Sequence, residues 1–143
     1  MPIKIEIPEL KEKPKEGTEE PKEAVERFAK LAIYYSSNAS LFLRQKEFQK
    51  AGEMMWGAMA SILKAVAAKK GKKVEGHSQL FSLAAKLSKN LGDDTIYRSF
   101  LEASHLHKNF YESDITEEEL RLLAKSIAKT VGKLVERLGY KAR

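Results

Sequence analysis

A chain of 143 residues with 43% hydrophobic and 32% charged side chains fits one domain, can own a real core and is not of a disordered composition. It has no cysteine, which excludes disulfides and thiolate metal sites, and it lacks both an apolar run long enough for a membrane span and a signal-peptide stretch, so it reads as cytoplasmic. The 26 basic against 20 acidic residues give a net charge of +6, which reads either as plain solubility or as a polyanion partner such as RNA or DNA. Few Asp with many Lys and Glu also resemble a heat-adapted surface laced with ion pairs.

Residues 1–20 read as an arm. Pro2, Pro8 and Pro14 cannot sit inside helices, and Ile3, Ile5 and Ile7 alternate with Lys4 and Glu6 at a strand period. A lone strand has no evident partner in the rest of the chain, which leaves it mobile or docked on a neighbouring subunit. A first helix is predicted over Pro21–Arg44, with proline tolerated in its first turn and a stripe of Val25, Phe28, Ala32, Tyr35, Ala39 and Phe42. A second, over Glu47–Lys70, repeats the spacing with Phe48, Ala51, Met55, Ala58, Ile62 and Val66. Trp56, Met59 and Leu63 widen that stripe and mark this helix as the most buried. The break at Gln45–Lys46 allows only an antiparallel hairpin, and Gly71 suits the helix end.

Lys69, Lys70, Lys72 and Lys73 crowd the next turn, where the helix dipole favours cations. A third helix follows over Ser78–Lys89, striped by Leu80, Leu83, Ala84 and Leu87. Asp93 or Asp94 caps a fourth, Thr95–Phe110. Thr116 with Glu119 forms a capping box for a fifth, which runs to about Leu138 before Gly139. The fold class is therefore all-α, an up-and-down bundle of four to five amphipathic helices, with residues 21–143 as a single helical domain.

No phosphate-binding glycine loop, dinucleotide fingerprint or nucleophile elbow occurs, so no cofactor is expected. His105 and His107 are two apart and diverge on a helix, which argues against a metal pair. On the fourth helix Arg98 and His105 stand seven apart, two turns, with Glu102 and Asn109 near the same line. The ordinary reading of this stripe is a helix-surface ion pair between Arg98 and Glu102. The chemical one is metal-independent cleavage of RNA: an imidazole takes the 2′-hydroxyl proton while a guanidinium holds the phosphate, and a twofold dimer would supply two such stripes. Ile96, Phe100, Ala103 and Phe110 make the opposite face, and His107 among them reads first as a buried, hydrogen-bonded structural histidine. Arg121, Lys125, Lys129, Lys133 and Arg137 recur every four residues on the fifth helix, a solvated face by default and a candidate phosphate track for RNA. Glu53, Gly57, Ala60 and Lys64 share a face of the second helix, where small residues allow close helix approach or leave a cleft.

Two segments resemble the archaeal paralogous-repeat (PaREP) family: Ala51-Gly52-Glu53-Met54-Met55-Trp56-Gly57-Ala58 leading to Lys64-Ala65-Val66-Ala67, and Leu106-His107-Lys108-Asn109-Phe110-Tyr111-Glu112, which is similar to that family's LHxNFYE signature. The likeness extends over residues 31–138. It implies membership of the HEPN superfamily, hence a helical bundle that is commonly a homodimer, among relatives that include metal-independent RNases and companions of nucleotidyltransferases. The RNase members carry Arg, four to six residues, then His, a spacing matched by Arg98 and His105. Ser99 stands where those members have Asn, Asp or His, and the family's own signature histidine falls on His107. The leading expectation is thus a homodimeric module that binds RNA and cuts it through Arg98 and His105, with Glu102 and Asn109 in support. The alternative is a non-enzymatic binding or regulatory bundle. It would use Glu53, Lys64, His107, Asn109 and Tyr111, with Trp56, Phe110 and Glu112 of the signature, to hold a small ligand or a partner such as a nucleotidyltransferase. A third is a structural dimer clasped by the arm.

Overall fold

The computed structural model describes residues 20–140 in full, together with the backbone of Lys141 and of the pair Ile3–Lys4. Five helices make up the described chain: α1 Pro21–Arg44, α2 Phe48–Lys69, α3 Gly76–Leu91, α4 Asp94–Asn109 and α5 Glu117–Arg137. A 3₁₀ turn, Phe110–Glu112, ends α4, and two short strands, β1 Ile3–Lys4 and β2 Tyr140–Lys141, pair in parallel. The chain is an all-α bundle. Among the described residues no helix is long and apolar enough to cross a membrane.

The helix boundaries follow local chemistry. At the end of α2 the N–H groups of Gly71 and Lys72 bond back to the carbonyls of Ala68 and Ala67, the paired bonds of a Schellman turn, and Gly71 takes the left-handed φ of +70° that this turn requires. Asp93 caps α4, accepting from the Thr95 N–H at 3.1 Å. Thr116 caps α5, accepting from the Glu119 N–H at 3.1 Å, while its hydroxyl donates to the Glu119 carboxylate at 3.2 Å. The α1–α2 hairpin closes through Lys46, the one non-glycine residue at positive φ among those described. A lysine there gives up roughly 1–2 kcal/mol to the left-handed conformation, offset by the helix packing it permits.

That packing explains where the apolar pattern of α1 departs from expectation. The buried seam of α1 runs through Val25, Ala29, Ala32, Ile33, Ala39 and Leu43, whereas Phe28, Tyr35 and Phe42 are only half-buried at its rim. Those three rings, seven residues apart, meet three α2 residues also seven apart. Lys64 lies over Phe28 at 5.8 Å, Lys50 over Phe42 at 5.7 Å, and Gly57 faces Tyr35 between them. Two antiparallel helices therefore interlock in one fixed register, with aromatic rings on one side and two ammonium groups and a glycine on the other.

The core is centred on α2. Met55, Met59, Ile62 and Leu63 are fully enclosed, and Phe100 of α4 and Ile127 of α5 close over them. The antiparallel course of α4 and α5 is pinned by a contact between the Ser99 and Ser126 hydroxyls at 3.2 Å and by an ion pair from Lys133 to Asp93. Hydrogen bonds from Lys133, then Thr95, hold the Asp93 carboxyl down at about 2, so it stays charged wherever the fold persists.

The expectation that the N-terminal strand has no partner in its own chain is corrected. Ile3 pairs with Tyr140 and Lys4 with Lys141, immediately after the turn at Gly139 that follows α5. The rest of the predicted arm, including Ile5 and Ile7, lies outside the described residues.

Two glycine substitutions test the register. A Cβ on Gly57 would stand 2.9 Å from the Tyr35 ring, whereas one on Gly132 in α5 meets nothing within 4 Å. Gly57→Ala is expected to lower stability in urea unfolding by about 1–3 kcal/mol despite alanine's better helix propensity. Gly132→Ala is expected to raise it by about 0.5–1 kcal/mol.

Candidate functional site

Six side chains from α2, α3 and α4 converge where the two halves of the sequence signature meet. Position 107 sits one turn from the end of α4, on the side that packs against α2, opposite Glu53. The His107 Nδ1–H donates to the Glu53 carboxylate at 2.9 Å, with both side chains about two-fifths exposed. The imidazole stacks on Trp56, ring centres 5.2 Å apart and planes 15° from parallel. His77, in the first turn of α3, stacks on the same indole at 5.7 Å, and its Nε2 lies 2.6 Å from the Ser104 hydroxyl of α4. Phe100 completes the group beneath, 5.4 Å from Trp56 and 5.6 Å from His77.

The dyad has the form of an oriented acid–base group. A carboxylate engaging Nδ1 fixes the ring's tautomer and direction and leaves Nε2 to meet a substrate proton. One turn further on, the Tyr111 hydroxyl donates to Gln49 of α2, while its ring packs edge-on against Phe110 at 5.5 Å and remains 81% exposed. Phe110 packs over α2 at Gly52, where a Cβ would stand 3.6 Å from its ring, an ordinary contact. An aromatic face that is both held and uncovered is a platform for a planar group. Burial against this aromatic group lowers the His77 pKa, and the charges of Lys108 and His107 lower it further.

The reading of His107 as a buried structural histidine is corrected. It is hydrogen-bonded, but it is exposed at the edge of the α2–α4 contact, with Trp56 stacked on one face of its ring. Glu53, Trp56, His107, Phe110 and Tyr111 of the signature come together at this edge, whereas Asn109 and Glu112 are exposed beside it and Lys64 lies three turns along α2, over Phe28. Arg98, Glu102 and His105 share the outward face of α4 with Asn109, all exposed, and no hydrogen bond or ion pair ties any of them to another described residue.

The α5 row is exposed as a whole, but its members differ. Arg121 pairs with Glu117 at 3.1 Å and donates to the Leu43 carbonyl at 3.4 Å, and Lys133 pairs with Asp93. Lys125, Lys129 and Arg137 have no carboxylate partner among the described residues.

Residues 27–138 match the family model for archaeal PaREP1/PaREP8 proteins. The chain belongs to that family. No curated protein and no solved structure matches it. The matched span contains every side chain of the site, and the two motifs that carry the family likeness are the ones that meet at Glu53 and His107.

His77, Ser104 and Gln49 were invisible as site residues in the sequence. Nothing in their local spacing points to α2 or α4, since His77 lies 27 residues from Ser104 and Tyr111 lies 62 from Gln49.

The lowered His77 pKa sets a sign for acid stability. Below about 6.5 the unfolded chain takes up a proton that the folded imidazole resists, so stability falls as pH drops through that value and levels off below the folded pKa. His77→Gln is expected to flatten this part of the profile, compared by urea unfolding at about pH 7.5 and about pH 5.5.

Proposed function

We propose that this PaREP1/PaREP8 protein binds single-stranded RNA and cleaves it without a metal, with His107 as the general base. The observation that carries this is the exposed Glu53–His107 dyad, stacked on Trp56 and flanked by the uncovered Tyr111 ring. A base flipped onto Tyr111 would gain stacking worth about 1–3 kcal/mol. Its ribose would then lie near His107, whose Nε2 takes the 2′-hydroxyl proton as that oxygen attacks the adjoining phosphate; the bond to the next nucleotide's 5′-oxygen breaks, that oxygen takes a proton from water, and a 2′,3′-cyclic phosphate is left. Lys108, exposed on the next position of the same turn, would offer a cation for the charge that develops. The net charge of +6 gives the chain a general attraction for a polyanion.

The Arg98–His105 spacing supports a second placement of the same chemistry, since both side chains are exposed on one line of α4. The oriented imidazole favours His107, because among the described residues no side chain engages the His105 ring. In this reading Arg98, Lys125 and Lys129 contribute phosphate contacts along the outer face of α4 and α5. A HEPN-like dimer would double the number of sites.

The test is cleavage of a mixed RNA pool in EDTA. His107→Ala is expected to slow cleavage by about 10²–10⁴-fold, with Glu53→Gln intermediate and His105→Ala near wild type. DNA of the same sequence, lacking the 2′-hydroxyl, should bind without being cut. If Arg98→Ala and His105→Ala abolish cutting while His107→Ala does not, the chemistry belongs to the outer face of α4. If RNA binds and is never cut, the chain is a non-catalytic binding module.

A further inference from the structure

A second site opens at the other end of α2, some three turns from the dyad. There α1 begins, α2 ends and the loop into α3 folds back, and these three elements enclose a cleft of about 420 Å³. The size falls within the roughly 300–1,000 Å³ typical of small-molecule sites. Among the described residues its walls combine apolar surface from Phe28, Ala68 and Val74 with four cations, Arg27, Lys64, Lys72 and Lys73, and one carboxylate, Glu75.

The cations are arranged, not merely abundant. Arg27 is 6% exposed as a residue, and its guanidinium lies 4.1 Å above the Phe28 ring, which Lys64 approaches at 5.8 Å. The ring therefore draws two positive groups toward one wall of the cleft. Lys73 pairs with Glu75 at 3.1 Å, consuming the carboxylate. Lys64 and Lys72 have no carboxylate partner among the described residues, and Lys64 is half-buried. At the end of α2 the carbonyls of Ala67 and Ala68 accept from the N–H groups of Lys70, Gly71 and Lys72. An excess of cations beside an apolar wall selects a ligand that is multiply anionic at one end and apolar at the other.

We infer that this cleft binds a nucleoside polyphosphate, its phosphates on Lys64 and Lys72 and its base against Val74 and Ala68. The site is separate from the RNA site and does not depend on it.

Calorimetric titration of the full chain with ATP, tripolyphosphate and adenosine tests the assignment. ATP is expected to bind, with Lys64→Gln and Lys72→Gln each weakening it about tenfold or more, as loss of a charge-assisted contact requires. Lys129→Gln on the remote α5 row should leave ATP binding unchanged. Tripolyphosphate and adenosine should each bind more weakly than ATP, because each lacks one half of the match. Tripolyphosphate binding as tightly as ATP would overturn the inference by making the site a plain anion patch. So would ATP binding that survives Lys64→Gln in a variant that melts like wild type, binding lost instead with Lys129→Gln, or no binding at all.

Discussion

Everything in this fold is hung on α2. It touches all four other helices, and twelve of its residues are buried, more than in any other helix. A helix enclosed on nearly every side must be apolar nearly all round, and its core row of Met55, Met59, Ile62 and Leu63 meets that demand. What remains uncovered is one narrow strip, along which Glu53, Gly57, Ala60 and Lys64 follow one another, all half-buried. The strip's width is set by the Tyr35–Gly57 contact, which lets α1 approach until a ring rests on backbone. Within the strip Glu53 and Lys64 are the two charged groups, one at each end.

The bundle itself was legible because its information is local. Spacing marked the helices, and single residues marked their ends: Gly71, Asp93, Thr116 with Glu119, and Gly139 each act within one turn of where they stand. Phe28, Tyr35 and Phe42 were misplaced because hydrophobicity says that a ring prefers cover without saying which cover. Alanines at 29, 32 and 39 let the helices close on their small side of α1, and the three rings were left at the rim to pair with lysines and a glycine. The pairing of Ile3 with Tyr140 was beyond reach for a related reason: it joins the two ends of the chain, and a two-residue ladder leaves no periodicity to detect.

The site was half legible. Its motifs could be picked out, but not that Glu53 and His107, 54 residues apart, form one hydrogen bond. Helical spacing placed His107 on the packed side of α4, correctly, and that suggested burial. It could not show that α2 offers an acid and an indole at that level and that solvent begins there. The α5 row shows the opposite error. Five cations at regular spacing look equivalent, yet Arg121 and Lys133 serve as ties to neighbouring elements, so the row's free charge is smaller than its count. Two of the other ion pairs, Lys30–Glu26 and Lys50–Glu47, link residues three or four apart on helix surfaces, where each contributes about 0–1 kcal/mol.

Glu53 and Lys64 are eleven residues apart on one straight helix, about 16 Å. That exceeds the Debye length of roughly 8–10 Å at ordinary ionic strength, so charge placed at one end of the strip is largely screened from the other. Mechanical coupling is the remaining route, and the tight Tyr35–Gly57 contact lies on it, between the two ends. A side chain resting on helix backbone has little room to take up a second arrangement, and transmission between sites needs an element with two. The dyad and the cleft are therefore held at a fixed separation by α2 and are independent in charge, so each can be altered without disturbing the other.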